Sequence, residues 1–326
     1  MFAHVDAQSV DLLKECPTCA TCYDNRKETC VHDGNQLIHT LPVARTIESR
    51  YRLDQRIGQG GMGAVFEATD LRLHRKVAIK VLVGRLFGNL AALRRFEREA
   101  EACARLIHPN IIVIHDFGRI GQEGAYLVMD RLNGRTLRSE LKHNGKLPPV
   151  AAAEWFEQFL NGLEAAHAAG IAHRDVKPEN VFITPLEKGG DRITILDFGL
   201  AKLSLDEPAD KESLTMPGTV MGTMGYMSPE QLSGQASDER GDLFSTGVMI
   251  FEGITGSLPF KAANYADQLR AMSQDSPTVP GDAAEVVRLN KFFRRCLAAD
   301  RQERFQSASE MRSALMPTLR DWARMS

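Results

Sequence analysis

The sequence predicts an α+β fold in which a strand-rich first part precedes a helix-rich second part, with a cleft between them. Short runs such as "AVFEAT" and "KVAIKVL" begin after Tyr51 and alternate apolar with polar residues, which is typical of a sheet. After residue 150 the apolar residues recur mainly at helical spacing. The chain has 326 residues, 43% of them hydrophobic, so it exceeds one average domain and supports a substantial core.

Each element has its own signal. Residues 89–106 carry apolar side chains three or four positions apart, which predicts a helix, and "NIIVIHDFG" and "AYLVMDRL" then return to strand alternation. Residues 151–169 predict a second helix, which Gly170 caps. Residues 242–256 are apolar nearly all round and predict a buried helix. The polar stretch 204–219 is long enough to be a functional loop.

Charge and hydropathy bear on the class of partner. The formal net charge of -2 gives no electrostatic reason to expect nucleic acid or an acidic membrane as the main partner. No run of 18 apolar residues occurs, and the first residues lack the pattern of a secretory signal. We therefore expect a cytoplasmic protein without a transmembrane segment in this chain, while an anchor beyond Ser326 stays open.

Four cysteines cluster near the N-terminus with the spacing C-x2-C-x2-C-x7-C. In a cytosolic protein such a cluster favours metal over disulfides, and four thiolates close a tetrahedral zinc site. His32 or Asp33 is an alternative ligand to the third cysteine. A redox-labile tail without metal is the competing interpretation, and an iron–sulfur centre is less favoured. The predicted ligands are Cys16, Cys19, Cys22 and Cys30.

The stretch "IGQGGMGAVFEA" contains Gly58, Gly60 and Gly63. A dinucleotide site requires a helix after such glycines, whereas "AVFEAT" is typical of a strand, so we predict a hairpin tip. A tip without side chains lets backbone N–H groups approach phosphate oxygens. An ordinary glycine turn is the alternative.

Lys80 follows in "VAIK", inside an apolar strand where an ammonium is costly to bury without an anionic partner. Glu99, on the helix over 89–106, can be that partner and hold Lys80 toward nucleotide phosphates. Alternatively, Lys80 extends its ammonium to solvent and Glu99 lies on an exposed helix face.

The stretch "HRDVKPEN" has the groups that phosphoryl transfer requires. Asp175 can accept the proton of an incoming hydroxyl, and Lys177 can offset charge on the transferred phosphate. Asn180 is a neutral oxygen ligand for magnesium. Asp197 in "ILDFGLA" can be the second metal ligand or, alternatively, only a turn cap.

Taken in order, these motifs make residues 51 to about 316 resemble the bacterial Hanks-type serine/threonine protein kinases. The resemblance implies a bilobal fold, ATP with Mg²⁺ (or Mn²⁺), and protein substrates that carry Ser or Thr. It assigns catalysis to Asp175, Lys177, Lys80 and Glu99, and Mg²⁺ binding to Asn180 and Asp197. The implied ATP-binding residues are Ile57, Gly58, Gly60, Gly63, Val65, Ala78, Lys80, Met129, Asp130 and Leu132.

The same resemblance implies structural and regulatory roles. Met129 corresponds to the gatekeeper, His173 and Phe198 to the hydrophobic spine, and Ser228 replaces the alanine of A-P-E without evident harm. Arg174 precedes the catalytic aspartate, which implies activation by a phosphorylated loop residue, with Thr215 and Thr219 as candidates and Ser213 behind them. The implied structural residues are Arg174, Thr223, Glu230, Asp242 and Arg304, the last as the salt-bridge partner of Glu230.

We therefore predict five regions: a cysteine-rich, zinc-ribbon-like module over 1–34, a linker over 35–50, an N-lobe with hinge over 51–132, a C-lobe over 133–316 and a tail over 317–326. The module is a candidate site for a partner, and a homodimer would allow autophosphorylation in trans. Two other hypotheses stay open, namely a catalytically idle kinase-fold scaffold and a zinc-dependent binding protein regulated by the attached fold.

Overall fold

The computed structural model describes residues 12–60, 63–83, 90–121, 124–198, 224–262, 264–274 and 277–325. The chain divides into two compact units. The first contains Met1–Ala104 and Val113–Leu132, and the second contains Arg105–Ile112 and Asn133–Ser326.

The first unit is built on an antiparallel six-stranded sheet. Its strands are β4 (Thr46–Ile47), β5 (Tyr51–Gly60), β6 (Gly63–Asp70), β7 (Arg75–Val83), β8 (Ile114–Ile120) and β9 (Gly124–Asp130). They lie in the order β4-β5-β6-β7-β9-β8 across the sheet. Helix α1 (Leu90–Ala104) lies between β7 and β8 in sequence, where the helical spacing predicts it.

A second sheet in the first unit is formed by β1 (Leu12–Glu15), β2 (Cys22–Tyr23) and β3 (Ile38–Ala44), with β1 in the centre. The linker predicted over 35–50 thus contains strands β3 and β4. Most residues of β3 are exposed, so the strand lacks the apolar alternation by which a sequence reveals a half-buried strand.

The two sheets share one apolar core. Val77, Ile79 and Val81 of β7 are buried in the same cluster as Leu13 of β1 and Cys22 of β2. Since side chains alternate along a strand, the even-numbered residues of β7 lie on the other face of the six-stranded sheet. The N-terminal sheet therefore packs on one face of the larger sheet and leaves the opposite face to Lys80 and its neighbours.

The second unit is mainly helical, with a small sheet of β10 (Arg135–Thr136), β11 (Val181–Pro185) and β12 (Asp191–Ile195). A 3-10 turn, Pro178–Asn180, leads into β11. The helices among the described residues of this unit are α2 (Leu137–Asn144), α3 (Pro149–Ala168), α4 (Pro229–Leu232), α5 (Glu239–Thr255), α6 (Tyr265–Gln274), α7 (Ala284–Cys296) and α8 (Ala308–Met325).

Helix α5 is the core element of the second unit. The Asp238 carboxylate accepts a hydrogen bond from the Arg240 N–H and caps the start of the helix. Every residue from Gly241 to Phe251 is buried, which confirms the prediction of a buried helix over this stretch. Asp242, near the start of α5, is thereby held at a fixed position inside the unit.

Candidate active site

Strands β5 and β6 form the glycine hairpin, in which Gly58 lies opposite Val65 and Gly60 opposite Gly63. A strand follows the glycines, which confirms the predicted hairpin and excludes the helix of a dinucleotide site. Gly63 has a φ of +151°, and a Cβ at this position would lie 1.9 Å from the carbonyl oxygen of Val81. Only glycine lets the start of β6 lie this close to strand β7.

The register of the sheet groups several predicted nucleotide-binding residues. Lys80 lies opposite Val65 on β6, and Ala78 lies opposite Met129 on β9. Directly opposite residues, and residues two apart on one strand, share a face of the sheet. The four side chains therefore lie on the face that the N-terminal sheet does not cover, and we call it the nucleotide face.

The remaining predicted residues of the first unit lie at the edges of this face. Ile57 on β5 is 44% exposed. Asp130 ends β9, where its N–H donates to the Val113 carbonyl at 3.1 Å, and Leu132 follows. Glu99 is half-buried on α1, as Lys80 is on β7, and the pairing of the two stays a prediction.

In the second unit, a short loop presents the Asp175 carboxylate. Lys177 Nζ lies 2.9 Å from Asp175 Oδ2, and Asn180 Nδ2 donates to the same oxygen at 3.1 Å and to the Asp175 carbonyl at 2.8 Å. The amide nitrogen of Asn180 thus faces Asp175, so its side-chain oxygen is directed elsewhere. The loop thus brings the Asp175 carboxylate, the Lys177 ammonium and the Asn180 amide within hydrogen-bonding distance.

The Asp242 carboxylate holds the backbone of this loop through hydrogen bonds. Its carboxylate accepts hydrogen bonds from the N–H groups of His173 at 2.6 Å and Arg174 at 2.7 Å, and it lies 2.9 Å from His167 Nε2. Asp242 is only 1% exposed, so these are charge-assisted bonds in a buried environment. The backbone that precedes Asp175 is consequently fixed to helix α5.

His173 connects the loop to the segment after β12. Burial lowers the pKa of His173, and its ring is neutral in this arrangement. Nδ1 accepts from the Asp175 N–H at 3.2 Å, and Nε2 donates to the Leu196 carbonyl at 2.8 Å. The ring of Phe198 lies 4.9 Å from the His173 ring. One imidazole therefore positions both the loop of residues 173–180, which we call the Asp175 loop, and the segment that carries Asp197.

Two residues of this region have left-handed backbones. Arg174 has a φ of 62° and Asp197 a φ of 45°, values that cost free energy for residues other than glycine. The Leu196 N–H donates to the Asn180 carbonyl at 2.8 Å, which joins the Asp197 segment to the loop. Such strain is typical of functional sites, where surrounding bonds hold the backbone in place.

A buried ion pair lies next to this loop. Arg304 is 1% exposed and donates to both carboxylate oxygens of Glu230 at 2.8 Å. Burial raises the pKa of Glu230, but Arg304 outweighs it and keeps the net pKa below its ordinary value. The salt bridge expected between these residues is therefore present.

The chain matches the family model of the protein kinase domain over residues 51–316. This chain belongs to the protein kinase domain family. The match covers most of the chain and both units, and it confirms the predicted α+β fold with a strand-rich and a helical part.

Three curated relatives of this kinase domain are bacterial. It is 35% identical to the serine/threonine-protein kinase pkn3 of Myxococcus xanthus, over 87% of this chain and 52% of the relative. It is 37% identical to the probable kinase PknB of Corynebacterium glutamicum, over 82% and 42%. It is 39% identical to PknA of Mycobacterium tuberculosis, over 76% and 56%. The chain spans about half the length of these relatives, and the resemblance to Hanks-type kinases is confirmed.

Membership of the kinase family implies the use of ATP and a divalent metal ion. The second unit contains two side chains that suit such an ion. The side-chain oxygen of Asn180 points away from Asp175, and Asp197 lies two residues past β12. A carboxylate and an amide oxygen are the hard ligands that Mg²⁺ prefers. The individual residue roles stay predictions.

Several predicted residues lie outside the part of the chain that the structure describes. They are the loop positions Ser213, Thr215, Thr219 and Thr223. Among the helices that are described, none has both the length and the apolar composition of a membrane span.

The cysteine cluster precedes the family match. The ligand atoms of Cys16, Cys19, Cys30 and Asp33 all lie within 4.8 Å of one another. Cys19 Sγ lies 3.5 Å from Cys30 Sγ, and Asp33 Oδ2 lies 3.2 Å from Cys16 Sγ. A tetrahedron with Zn–S bonds of about 2.3 Å has S···S edges of about 3.8 Å, so the spacing suits zinc.

Cys22, the third predicted ligand, does not belong to this cluster. It lies in the core between the two sheets, where burial raises the pKa of its thiol to about 12. The neighbouring Tyr23 points to the cluster side and contacts Cys30 Sγ at 3.2 Å. Of the two alternative ligands, the structure groups Asp33 with the cysteines, and the hydrogen bond from the Asn35 N–H lowers the Asp33 pKa to about 2.

Backbone groups also support the cluster. The Cys19 N–H donates to Cys16 Sγ and the His32 N–H donates to Cys30 Sγ, both at 3.4 Å. These N–H···S bonds hold the sulfur atoms of Cys16 and Cys30 in place at the cluster.

Sequence reasoning missed two residues that position the Asp175 loop, namely His167 and Gln231. His167 contacts Asp242, and only the fold reveals this, since 75 residues separate them. Gln231 accepts from the Ser228 N–H at 3.0 Å and donates to the Arg174 carbonyl at 2.9 Å. The pattern S-x-x-Q before a helix is a capping-box signal, so "SPEQ" contained the information for the second residue.

Proposed function

We propose that this chain is an ATP-dependent serine/threonine protein kinase that transfers the γ-phosphoryl group to Ser and Thr hydroxyls. One observation carries the proposal: the loop of the second unit holds the Asp175 carboxylate between Lys177 Nζ and Asn180 Nδ2. Family membership and relatives named serine/threonine kinases support it.

In this proposal Asp175 orients the substrate hydroxyl and accepts its proton while the new P–O bond forms and ADP leaves. Lys177, which already contacts Asp175, offsets the charge on the transferred phosphoryl group. Asn180 and Asp197 would hold the divalent metal ion, whose charge would offset that of the phosphates.

The first unit contributes the nucleotide site. The glycine hairpin covers the phosphates with backbone N–H groups, and Lys80, held by Glu99, reaches the α- and β-phosphates. Val65, Ala78 and Met129 line the nucleotide face together with Ile57, while Asp130 and Leu132 present backbone groups to the adenine.

The test is incubation of the full chain with labelled ATP and Mg²⁺, followed by phosphoamino-acid analysis. We expect phosphoserine or phosphothreonine with the native chain and loss of label, by at least about a hundredfold, with Lys80→Met and Asp175→Asn. Lys76→Met is the matched control, because Lys76 lies on the same strand but pairs with Asp54 and Glu67 at the surface. Equal label in all four proteins would support the rival hypothesis of an idle scaffold.

We also propose a structural zinc ion on Cys16, Cys19, Cys30 and Asp33. Three sulfur ligands with one carboxylate suit zinc, and the cluster's own core contains only Cys16, Tyr23, Cys30 and Leu37 among the described residues. We expect about one zinc per chain by elemental analysis. Cys30→Ala should abolish zinc binding and Cys22→Ala should retain it; the reverse result would return Cys22 to the ligand set.

Further parts of the proposal concern regulation and location. Thr215 and Thr219 are the proposed autophosphorylation sites, which mass spectrometry of the incubated protein would identify. A homodimer would allow autophosphorylation in trans, and the cysteine module is a proposed partner site. A cytoplasmic location suits a thiolate metal site, because a reducing compartment keeps the ligands available.

A further inference from the structure

The cysteine cluster is hydrogen-bonded directly to β5, the first strand of the glycine hairpin. Gln55 Nε2 donates to the Cys19 carbonyl, and the Arg56 N–H donates to the Ala20 carbonyl, both at 2.9 Å. Thr21 forms an antiparallel bridge with Gln55. The residues from Cys19 to Thr21, which directly precede β2, thus pair with β5.

A buried ion pair reinforces this connection. Glu15, the residue before the ligand Cys16, is fully buried and accepts from Arg56 at 2.6 Å. Its other oxygen accepts from Thr40 Oγ1 at 3.2 Å. A carboxylate in such an environment needs its partner, so Arg56 and the backbone that carries it are held at a fixed distance from the cluster.

The bonded residues occupy an irregular part of β5. The register between β5 and β6 shifts between Leu53 and Gln55 and again between Arg56 and Gly58. Residues between two bulges are less constrained by the neighbouring strand than those in a regular ladder. Gly58 and Gly60 follow Arg56 by two and four positions, so the position of Arg56 determines where the hairpin begins.

A bound metal ion would add order to the cluster region. Its apolar core is very small, and Ala20, which accepts the bond from Arg56, has a left-handed φ of 58°. Without an ion the ligand side chains contribute only weak thiol contacts, and so small a core does not offset the entropy of ordering the loop. Loss of metal would release the two carbonyls that hold Gln55 and Arg56.

We infer that metal bound by Cys16, Cys19, Cys30 and Asp33 fixes strand β5 and thereby positions the glycine hairpin, so that metal occupancy sets the affinity of this kinase for ATP. The inference rests on the proposed function for its kinetic consequences and on the proposed zinc site for its ligand. Gln55 and Glu15 act as positioning residues, since they reach the nucleotide only through β5.

The experiment compares the full chain loaded with zinc, stripped by a chelator that is then removed, and reloaded with zinc. The dissociation constant of a fluorescent ATP analogue in Mg²⁺ should rise about tenfold on stripping, a coupling of ordinary size, and return on reloading. Hydrogen exchange supplies a readout independent of activity: the Arg56 amide should exchange faster in the stripped protein.

Two variants separate positioning from folding. Gln55→Ala removes one exposed hydrogen bond to Cys19 and should raise the KM for ATP about threefold, with zinc content kept and kcat within about twofold. Glu28→Gln is the matched control in the same module, because Glu28 is 68% exposed and pairs only with Lys14 among the described residues. It should leave both constants unchanged.

Each outcome has one meaning. Equal affinity for the nucleotide analogue in loaded and stripped protein would overturn the inference. Absence of zinc from the purified chain, with no uptake on titration, would remove the zinc site itself. Tenfold coupling in nucleotide binding without any phosphotransfer would support the inference and contradict the proposed kinase activity, so the two claims fail separately.

Discussion

The Asp175 loop and strand β5 of the glycine hairpin are held in place by different means. A buried carboxylate, Asp242, fixes the loop through two backbone N–H groups from within the family-matched region. Strand β5 is fixed instead by Glu15 and by the Cys19 and Ala20 carbonyls, which precede that region. A kinase domain can therefore take part of the support for strand β5 from a segment that precedes it.

The largest expected effect on stability concerns the buried pair of Arg304 and Glu230 beside the Asp175 loop. Arg304→Met should lower the free energy of unfolding by about 3–5 kcal/mol, because it leaves the Glu230 carboxylate buried without a partner. Urea denaturation measures this. The control is Arg288→Met, whose pair with Asp321 is about half exposed on both sides and should contribute under about 1 kcal/mol. Similar losses in both variants would contradict the prediction.

Asp242→Asn tests whether the support of the Asp175 loop is separate from the support of strand β5. The amide replaces one accepting oxygen and leaves a buried N–H of the loop unpaired, so stability should fall by about 2–3 kcal/mol. We expect kcat to fall at least about tenfold while the KM for ATP changes less than about twofold, since the nucleotide face belongs to the other unit.

Asp238→Asn is the control for this variant, because Asp238 caps the same helix without contacting the loop. Asparagine caps helices nearly as well as aspartate, so both constants should stay near native values. A rise in the KM for ATP in Asp242→Asn as large as its fall in kcat would show that the two supports are not separate.

The first unit also has an internal anchor, the pair of Arg50 and Asp70. Hydrogen bonds from Arg50 hold the pKa of Asp70 down at about 2. A depressed carboxyl pKa stabilises the folded state above the unfolded pKa, near 4, and this contribution is lost as the pH falls toward 2. Asp70→Asn should cost about 2 kcal/mol at neutral pH.

The measurement is the difference in unfolding free energy between Asp70→Asn and the native chain, taken from pH 6 to pH 2. It should be constant above about pH 5 and shrink below pH 4. A difference that does not change with pH would show that Asp70 contributes through packing rather than through its charge.

The smallest effect is expected at the capping box of α4. Gln231→Ala removes the bonds to the Ser228 N–H and the Arg174 carbonyl and should cost about 1 kcal/mol. Thermal unfolding detects a change of this size. Gln235→Ala, three residues past the end of the helix, is the comparison and should be neutral; a cost as large as that of Gln231→Ala would assign the effect to the general loss of a glutamine in this segment.

The sequence predicted best where chemistry demands a residue type. The order of the glycine hairpin, "VAIK", "HRDVKPEN" and "DFG" was sufficient for the family, and helical periodicity located α1, α3 and α5. The connection of Asp242 to His173 and Arg174 joins residues almost 70 positions apart, so its geometry required the fold.

The cysteine cluster illustrates why spacing alone was insufficient. Cys22 fits the spacing of a ligand, but it lies on a strand whose neighbouring side chain, Tyr23, faces the cluster. Strand alternation therefore turns Cys22 into the core. Asp33, one of the two alternatives to Cys22 that the sequence offered, lies in a turn, and only the fold distinguishes it from His32.

Strand β7 presents Lys80 and Ala78 to one side and Val77, Ile79 and Val81 to the other. Mutations at the odd-numbered positions can therefore adapt the sheet to a new attached segment while the residues that would meet a nucleotide stay unchanged.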